Sequence, residues 1–376
     1  MSCFEGIYFD HAATSYPKPA CVLKAVERAL TEEGGNAGRS GHALALRAAL
    51  RVYSARETIA DFFGLSDPAG VVFTKNATEA LNLAVHTFCK NGGHVLCDDM
   101  AHNALVRPLY RLSDEGRIRL SFYPYSAKIE DISKQIENDT VLLCATHASN
   151  ICGARLDAGA LGALCRARRI AFLLDASQSA GHLPIHCAAL DADAVCIPAH
   201  KGLYGIMGAG AVLFPHPQED YPTFLTGGGG AYSLSREMPK ALPEHFEAGT
   251  LPLPAIAAFE AGVAWVKEIG LEEIASHIKS MERFLREGLA VISEITLHGQ
   301  DGGGILSFIH RTLSPERVAS HLNEAGIAVR AGLHCAPLAH KALGTLPRGT
   351  VRVSLGYTNT QEDCERLLQA IQELAE

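Results

Sequence analysis

The chain lacks any uncharged apolar run of the roughly 18 residues that a membrane-crossing helix needs, and Met1 to Asp10 holds no basic region followed by an apolar stretch. A soluble, unprocessed, cytoplasmic protein is expected. Positive charge is also short: 33 Lys and Arg against 41 Asp and Glu give −8 with histidine neutral, which argues against a nucleic-acid face. The eleven cysteines, an odd number, include no Cys-x-x-Cys pair, so they describe neither a disulfide framework nor a zinc ribbon. No metal site is expected, a reducing compartment suits the chain, and most of these thiols should be small buried hydrophobes. There is no internal repeat and no low-complexity stretch beyond Gly227 to Gly230. What remains is ordinary globular composition, 48% hydrophobic and 20% charged, in 376 residues, long enough to bury a large core.

Short apolar runs alternate with helical patterns through the first two-thirds. Val71–Phe73, His94–Cys97, Leu120–Tyr123, Val141–Cys144, Ile170–Leu174 and Ala194–Ile197 read as buried strands. Between them Thr78–Cys89, Asn103–Leu112, Ile129–Glu137 and Ala158–Arg169 read as helices. Such alternation predicts an α/β fold, a mostly parallel sheet with helices on both faces. The pattern changes after the glycines and the Pro252/Pro254 pair. Helices are expected over 255–269, 271–292, after Ser314-Pro315 and from Thr360, with strands at Ile305–Ile309, Ile327–Arg330 and Val351–Leu355. This gives a large α/β domain over 15–254 and a smaller α+β domain from 1–14 plus 255–376.

Ligands in parallel sheets sit beyond the carboxyl ends of strands. There the sequence places Asp175-Ala176-Ser177-Gln178, which an N-cap also explains, and Ala199-His200-Lys201-Gly202, a lysine where a backbone can approach a ligand. Thr74 to Glu79 joins a strand to a helix and presents free N–H groups to an anion, although a capping box has the same letters. A phosphate site, a strand-end acid and a lysine in one α/β unit together describe a site for pyridoxal 5′-phosphate.

Over nearly its whole length the chain resembles the class V aminotransferases, fold-type I pyridoxal phosphate enzymes, and within them the cysteine desulfurase/selenocysteine lyase branch. The ordered landmarks are Tyr8 to Thr14, Asn76-Ala77-Thr78-Glu79, His102-Asn103, His147 to Asn150, Asp175 to Gln178, His200-Lys201, Glu247 to Thr250, and Arg330 to Ala336. The resemblance implies a seven-stranded sheet. It also implies roles: Lys201 to carry the cofactor and move protons, Asp175 to pair with the pyridine nitrogen, Gln178 to bond the phenolic oxygen and His102 to stack on the ring. Ala77, Thr78 and His200 would hold the phosphate, with Thr250 reaching that of a neighbouring subunit in a homodimer. Asn150 would lie near the cofactor oxygen and the substrate carboxylate, which Arg352 binds with Arg330 close by. Read by itself, Arg352 is an edge-strand arginine paired with a surface acid.

Cys335 lies not in an apolar run but in a turn-rich connection, between Gly332-Leu333-His334 and Ala336-Pro337. His334 and Arg330 are the basic groups expected to raise its thiolate fraction. Arg-x-Gly-x-x-Cys resembles the SufS-like group, with its short nucleophile loop. The implied reaction takes L-cysteine to alanine and leaves the sulfur on Cys335 as a persulfide, for a SufE-like protein, a thiolation enzyme or a small thiol. Alternatives are a selenocysteine lyase, another aminotransferase or β-lyase on a small amino acid, and a silent scaffold. Cys152 is the one other thiol expected near the site. Pro198 and Ala199 before His200, Leu333 for a frequent second histidine, and His11 for a frequent asparagine depart from the family pattern.

Overall fold

The computed structural model describes residues 5–38, 41–218, 220–230, 233–299 and 303–374. In chain order come β1 (Ile7–Tyr8), α1 (Ala20–Thr31), α2 (Ala43–Phe63), β2 (Val71–Thr74), α3 (Ala77–Phe88), β3 (Gly93–Asp98), α4 (Asn103–Asp114), β4 (Ile118–Tyr123), α5 (Ile129–Gln135), β5 (Thr140–Thr146), α6 (Ala158–Arg168), β6 (Ala171–Asp175), β7 (Ala194–Pro198) and β8 (Gly210–Leu213). Then follow α7 (Leu253–Ile269), α8 (Leu271–Ala290), β9 (Ile295–His298), β10 (Ile305–His310), α9 (Pro315–Glu324), β11 (Ile327–Ala328), β12 (Arg330–Gly332), α10 (Pro337–Ala342), β13 (Thr350–Ser354) and α11 (Gln361–Glu373).

Seven strands form the large sheet in the order β2-β8-β7-β6-β5-β3-β4, all parallel except β8, which is antiparallel to both neighbours. Its inner strands bury both faces. Phe172, Leu174, Val195 and Ile197 meet Ile59 and Phe63 of α2 and Ile256 and Phe259 of α7. On the other face Leu173, Cys144, Cys97 and Cys196 meet Leu81 and Val85 of α3 and Leu105 and Leu109 of α4. That double burial is why the strands read as continuous apolar runs in place of alternating ones.

A second, antiparallel sheet runs β12-β13-β10-β9, and β1 pairs in parallel with β11. Leu306, Phe308, Val351 and Val353 pack there on Ile278 and Leu285 of α8 and on Leu367 and Ile371 of α11. The expected strand Ile327–Arg330 is two strands: β11 serves β1 and β12 serves β13, with the break at Val329. β8 and β9 were not anticipated. The helix expected from Ala255 starts at Leu253, and its neighbour ends at Ala290. α7 contributes Leu253 to Val263 to the core of the large sheet and Val266 to that of the smaller one. Among the described residues no helix is long and apolar enough to cross a membrane.

Candidate active site

The carboxyl ends of β3, β5, β6 and β7 open onto a cavity of about 110 Å³. At one end stands the N-terminus of α3. Asn76 caps it by accepting the Glu79 N–H at 2.9 Å, which leaves the N–H groups of Ala77 and Thr78 without protein partners at the cavity wall. These groups and the helix dipole make a seat for a dianion. β8 passes directly beneath: a Cβ on Gly210 would lie 2.8 Å from the Asn76 carbonyl carbon and 2.9 Å from Ile197 O. Only glycine lets the strand approach this close.

Asp175 ends β6 and is buried, with Ser177 donating to Oδ1 through its N–H (3.0 Å) and hydroxyl (2.5 Å). Both hydrogen bonds from the described residues fall on Oδ1, which leaves Oδ2 to a cationic ring N–H. Lys201 follows β7 on the same wall; burial lowers its ammonium to about 8, Asp175 working against the shift and Arg352 and Arg330 adding to it. His102 caps α4 by accepting the Ala104 N–H on Nδ1 at 3.0 Å, so its proton sits on Nε2. Burial, helped by Lys201, holds its pKa near 4. The ring is neutral, and it both caps the helix and lines the cavity.

Gln178 donates to Ala12 O at 3.0 Å and also lines the cavity. His200 does too, kept neutral at about 4 by burial and by Lys201. Its carbonyl is gripped by the N-terminal segment: Ser15 N–H, Thr14 Oγ1 and Lys18 Nζ each donate at 2.9 Å. Sequence reasoning gave no role to Ser15, Lys18 or Asp10. Only the motif Tyr8 to Thr14 marked the region.

Arg352 is not on an edge. β13 lies between β12 and β10, its guanidinium-bearing residue is 1% exposed, and Arg330 stands directly opposite on β12. Nη2 pairs with Asp10 Oδ1 at 2.6 Å, Nη1 donates to Asn150 O at 3.0 Å, and buried Nε has no partner. Arg330 is half-buried, with Nη2 4.0 Å from Cys335 Sγ. Cys335 is free and exposed.

Two expectations, at His334 and Cys152, need correction. His334 does not supply positive charge to Cys335: it is 3% exposed, burial holds its pKa near 3, and its Nε2 points to Thr350 O at 3.2 Å. The cation facing the thiol is Arg330. Cys152 is buried in an apolar cluster with Met100, Ile151 and Ala336, and burial raises its pKa. Thr250 is exposed and stands outside the cavity, 3.5 Å from Asn36 Nδ2, on a loop that Glu247 ties to β2 through the Phe73 N–H (2.6 Å) and to buried Arg56. Of the departures, Pro198 lines the cavity, and His11 is buried with both ring nitrogens unpartnered. The His11 ring occupies the space a Cβ on Gly356 would need, 2.3 Å away.

The anion seat, the free carboxylate oxygen, the neutral imidazole and the depressed lysine fit pyridoxal 5′-phosphate. Among the described residues no group of three His, Cys, Asp or Glu is arranged to hold a metal ion. A family model described as aminotransferase class-V matches residues 7–367. A probable cysteine desulfurase of Methanothermobacter thermautotrophicus is 32% identical over 382 residues, 99% of this chain and 95% of that protein. The apo structure of the cysteine desulfurase of Thermococcus onnurineus superposes with a TM-score of 0.91 at 30% identity, covering 99% and 95% of the two chains. That of the Escherichia coli cysteine desulfurase CsdA gives 0.88 at 25%, covering 98% and 94%.

Proposed function

The chain belongs to the class V aminotransferase family, and from that premise we propose that it is a pyridoxal phosphate-dependent cysteine desulfurase, converting L-cysteine to alanine and keeping the sulfur on Cys335. The observation that carries this reading is a free, exposed thiol, 4.0 Å from a guanidinium, on a turn hydrogen-bonded to a cavity residue.

When bound, pyridoxal phosphate supplies an electron sink that makes the Cα proton of an amino acid acidic. The N–H groups of Ala77 and Thr78, with the Thr78 hydroxyl and His200, would hold its phosphate. Asp175 Oδ2 would accept the ring N–H, Gln178 would bond the phenolic oxygen, and neutral His102 would lie against the ring. Arg352 receives the substrate carboxylate, with Arg330 and Asn150 beside it. Lys201, partly unprotonated near neutral pH because burial brings it to about 8, removes the proton at Cα and returns it there once the sulfur has left. Cys335 Sγ then bonds to the substrate sulfur as the Cβ–S bond breaks. The electron pair left on carbon takes a proton, alanine departs, and Cys335 holds a persulfide.

The active unit in this reading is a cytoplasmic homodimer. An exposed Thr250 remote from its own cavity serves the partner's phosphate, and Leu46, Leu50 and Tyr53, exposed on one face of α2, are the apolar surface a second copy covers. The chain divides into 15–254 and 1–14 plus 255–376, with Cys335 on the smaller part, where an acceptor protein or thiol can reach it. Mass spectrometry after incubation with L-cysteine tests the function: one added sulfur on the Cys335 peptide is expected. Alanine formed at the wild-type rate by Cys335→Ala would refute it.

A further inference from the structure

Cys335 sits in a turn that does not hold itself. The Ala336 N–H bonds to Leu333 O at 2.9 Å, which makes His334 and Cys335 the two central residues. Both are left-handed, with φ of 46° and 58°. Glycine and asparagine enter such turns freely, whereas histidine and cysteine do so only where their surroundings compel them.

Two hydrogen bonds to its carbonyls from outside the turn, beside the contact of the His334 ring with Thr350 O at 3.2 Å, supply that compulsion. The Asn103 N–H at the start of α4 holds Cys335 O at 2.8 Å. Asn150 Nδ2, from the loop after β5, holds His334 O at 2.9 Å. A carbonyl only accepts, so the Asn150 amide has a fixed direction: its NH2 faces the turn. Oδ1 is left buried without a partner in a residue that is 5% exposed and lines the cavity. The backbone carbonyl of the same residue takes Arg352 Nη1 at 3.0 Å. One residue thus touches the nucleophile's turn, the cavity and the buried arginine.

We propose that Asn150 is the positioning residue for the nucleophile, its side-chain amide docking the His334–Cys335 turn so that the thiol is placed by the cavity wall. The inference rests on the reading of Cys335 as the sulfur-accepting thiol for its meaning, but the docking itself needs neither cofactor nor substrate.

Asn150→Asp keeps the shape and the cavity-facing acceptor, puts an oxygen in place of the donor to His334 O and adds a negative charge when ionised. Asn150→Ala removes donor and acceptor and adds no charge. In the cofactor-free protein, hydrogen exchange over residues 332–337 should quicken roughly five- to tenfold in both variants, the factor that loss of one net hydrogen bond confers. Exchange in β10 should stay at the wild-type rate. Loaded with pyridoxal phosphate and given L-cysteine, both variants should add sulfur to Cys335 at least ~10-fold more slowly, with the larger change in kcat and the smaller in KM. Wild-type exchange at 332–337 in Asn150→Ala overturns the proposal, because the donor is then not needed. Asn150→Ser, too short to reach the turn, replaces the alanine variant if that one fails to fold. If no sulfur reaches Cys335 even in the wild type, the functional reading fails, while the exchange comparison still decides the docking.

Discussion

Removing the carboxylate of Asp10 should cost more than removing the arginine it faces. Arg352 is 1% exposed at its side chain and Asp10 21%. Taking away one partner of a buried ion pair costs about 3–5 kcal/mol, chiefly because the remaining charge stays desolvated. In Asp10→Ala that charge is the guanidinium, enclosed by β13 and left with only Asn150 O as acceptor; about 3 kcal/mol of destabilisation is expected. In Arg352→Met the remaining group is the carboxylate, which already reaches water, so about 1–2 kcal/mol is expected, most of it from the unpaired Asn150 carbonyl. The double variant buries no charge and should match Arg352→Met, which gives a coupling of about 3 kcal/mol between the sites. Urea unfolding of the cofactor-free protein measures this, followed by the fluorescence of the single tryptophan, Trp265, which packs 4.5 Å from the Tyr204 ring. Asp10→Ala no more costly than Arg352→Met, or additive single variants, would show that the guanidinium is not held as argued.

The buried histidines predict acid sensitivity. His11 and His334 are held near 3, and His102, His147, His182 and His200 near 4, by burial in every case. With folded values below the ordinary 6.5, the unfolded chain binds more protons between about 4 and 6.5, so stability is complete above that window and falls as pH drops through it. Each group contributes about 1.4 kcal/mol per pH unit; the pH slope of urea unfolding at pH 5.5 should report uptake of about three protons or more, and a flat profile would contradict the neutral assignments. Gly210→Ala should push the Asn76 turn off its seat, since both atoms it meets are backbone, and weaken pyridoxal phosphate binding by about tenfold or more. Equilibrium dialysis checks this, and unchanged affinity would mean that the seat tolerates the shift.

The cavity was legible because its residues follow strands whose apolar runs are uninterrupted, so strand ends could be located and their polar residues noticed. β8 escaped: four residues beginning with glycine, after a glycine-rich loop, give no period to read. β9 escaped because it is only partly buried. Arg352 looked like an edge residue because neither Asp10, 342 positions away, nor the strands on either side of β13 are local in sequence. The error at His334 has the same origin. Adjacency to Cys335 says nothing about burial, and burial decides whether an imidazole is a cation. Asn150 carried a role by resemblance, but its hold on the His334 carbonyl depends on a turn that only three dimensions reveal.

The grip of Thr14, Ser15 and Lys18 on the His200 carbonyl, with Asp10 on Arg352, bears on the order of assembly during synthesis. Asp10 is bonded to a residue made 342 positions after it. An emerging chain can form helices and pair its inner strands, yet Asp10 has no counter-charge until β13 has been made. Contacts of such long sequence separation close slowly, so the cavity wall is completed only when residues 10–18 meet β13. A nascent chain would carry Lys201 and Asp175 on a formed sheet before Arg352 and Cys335 exist to face them.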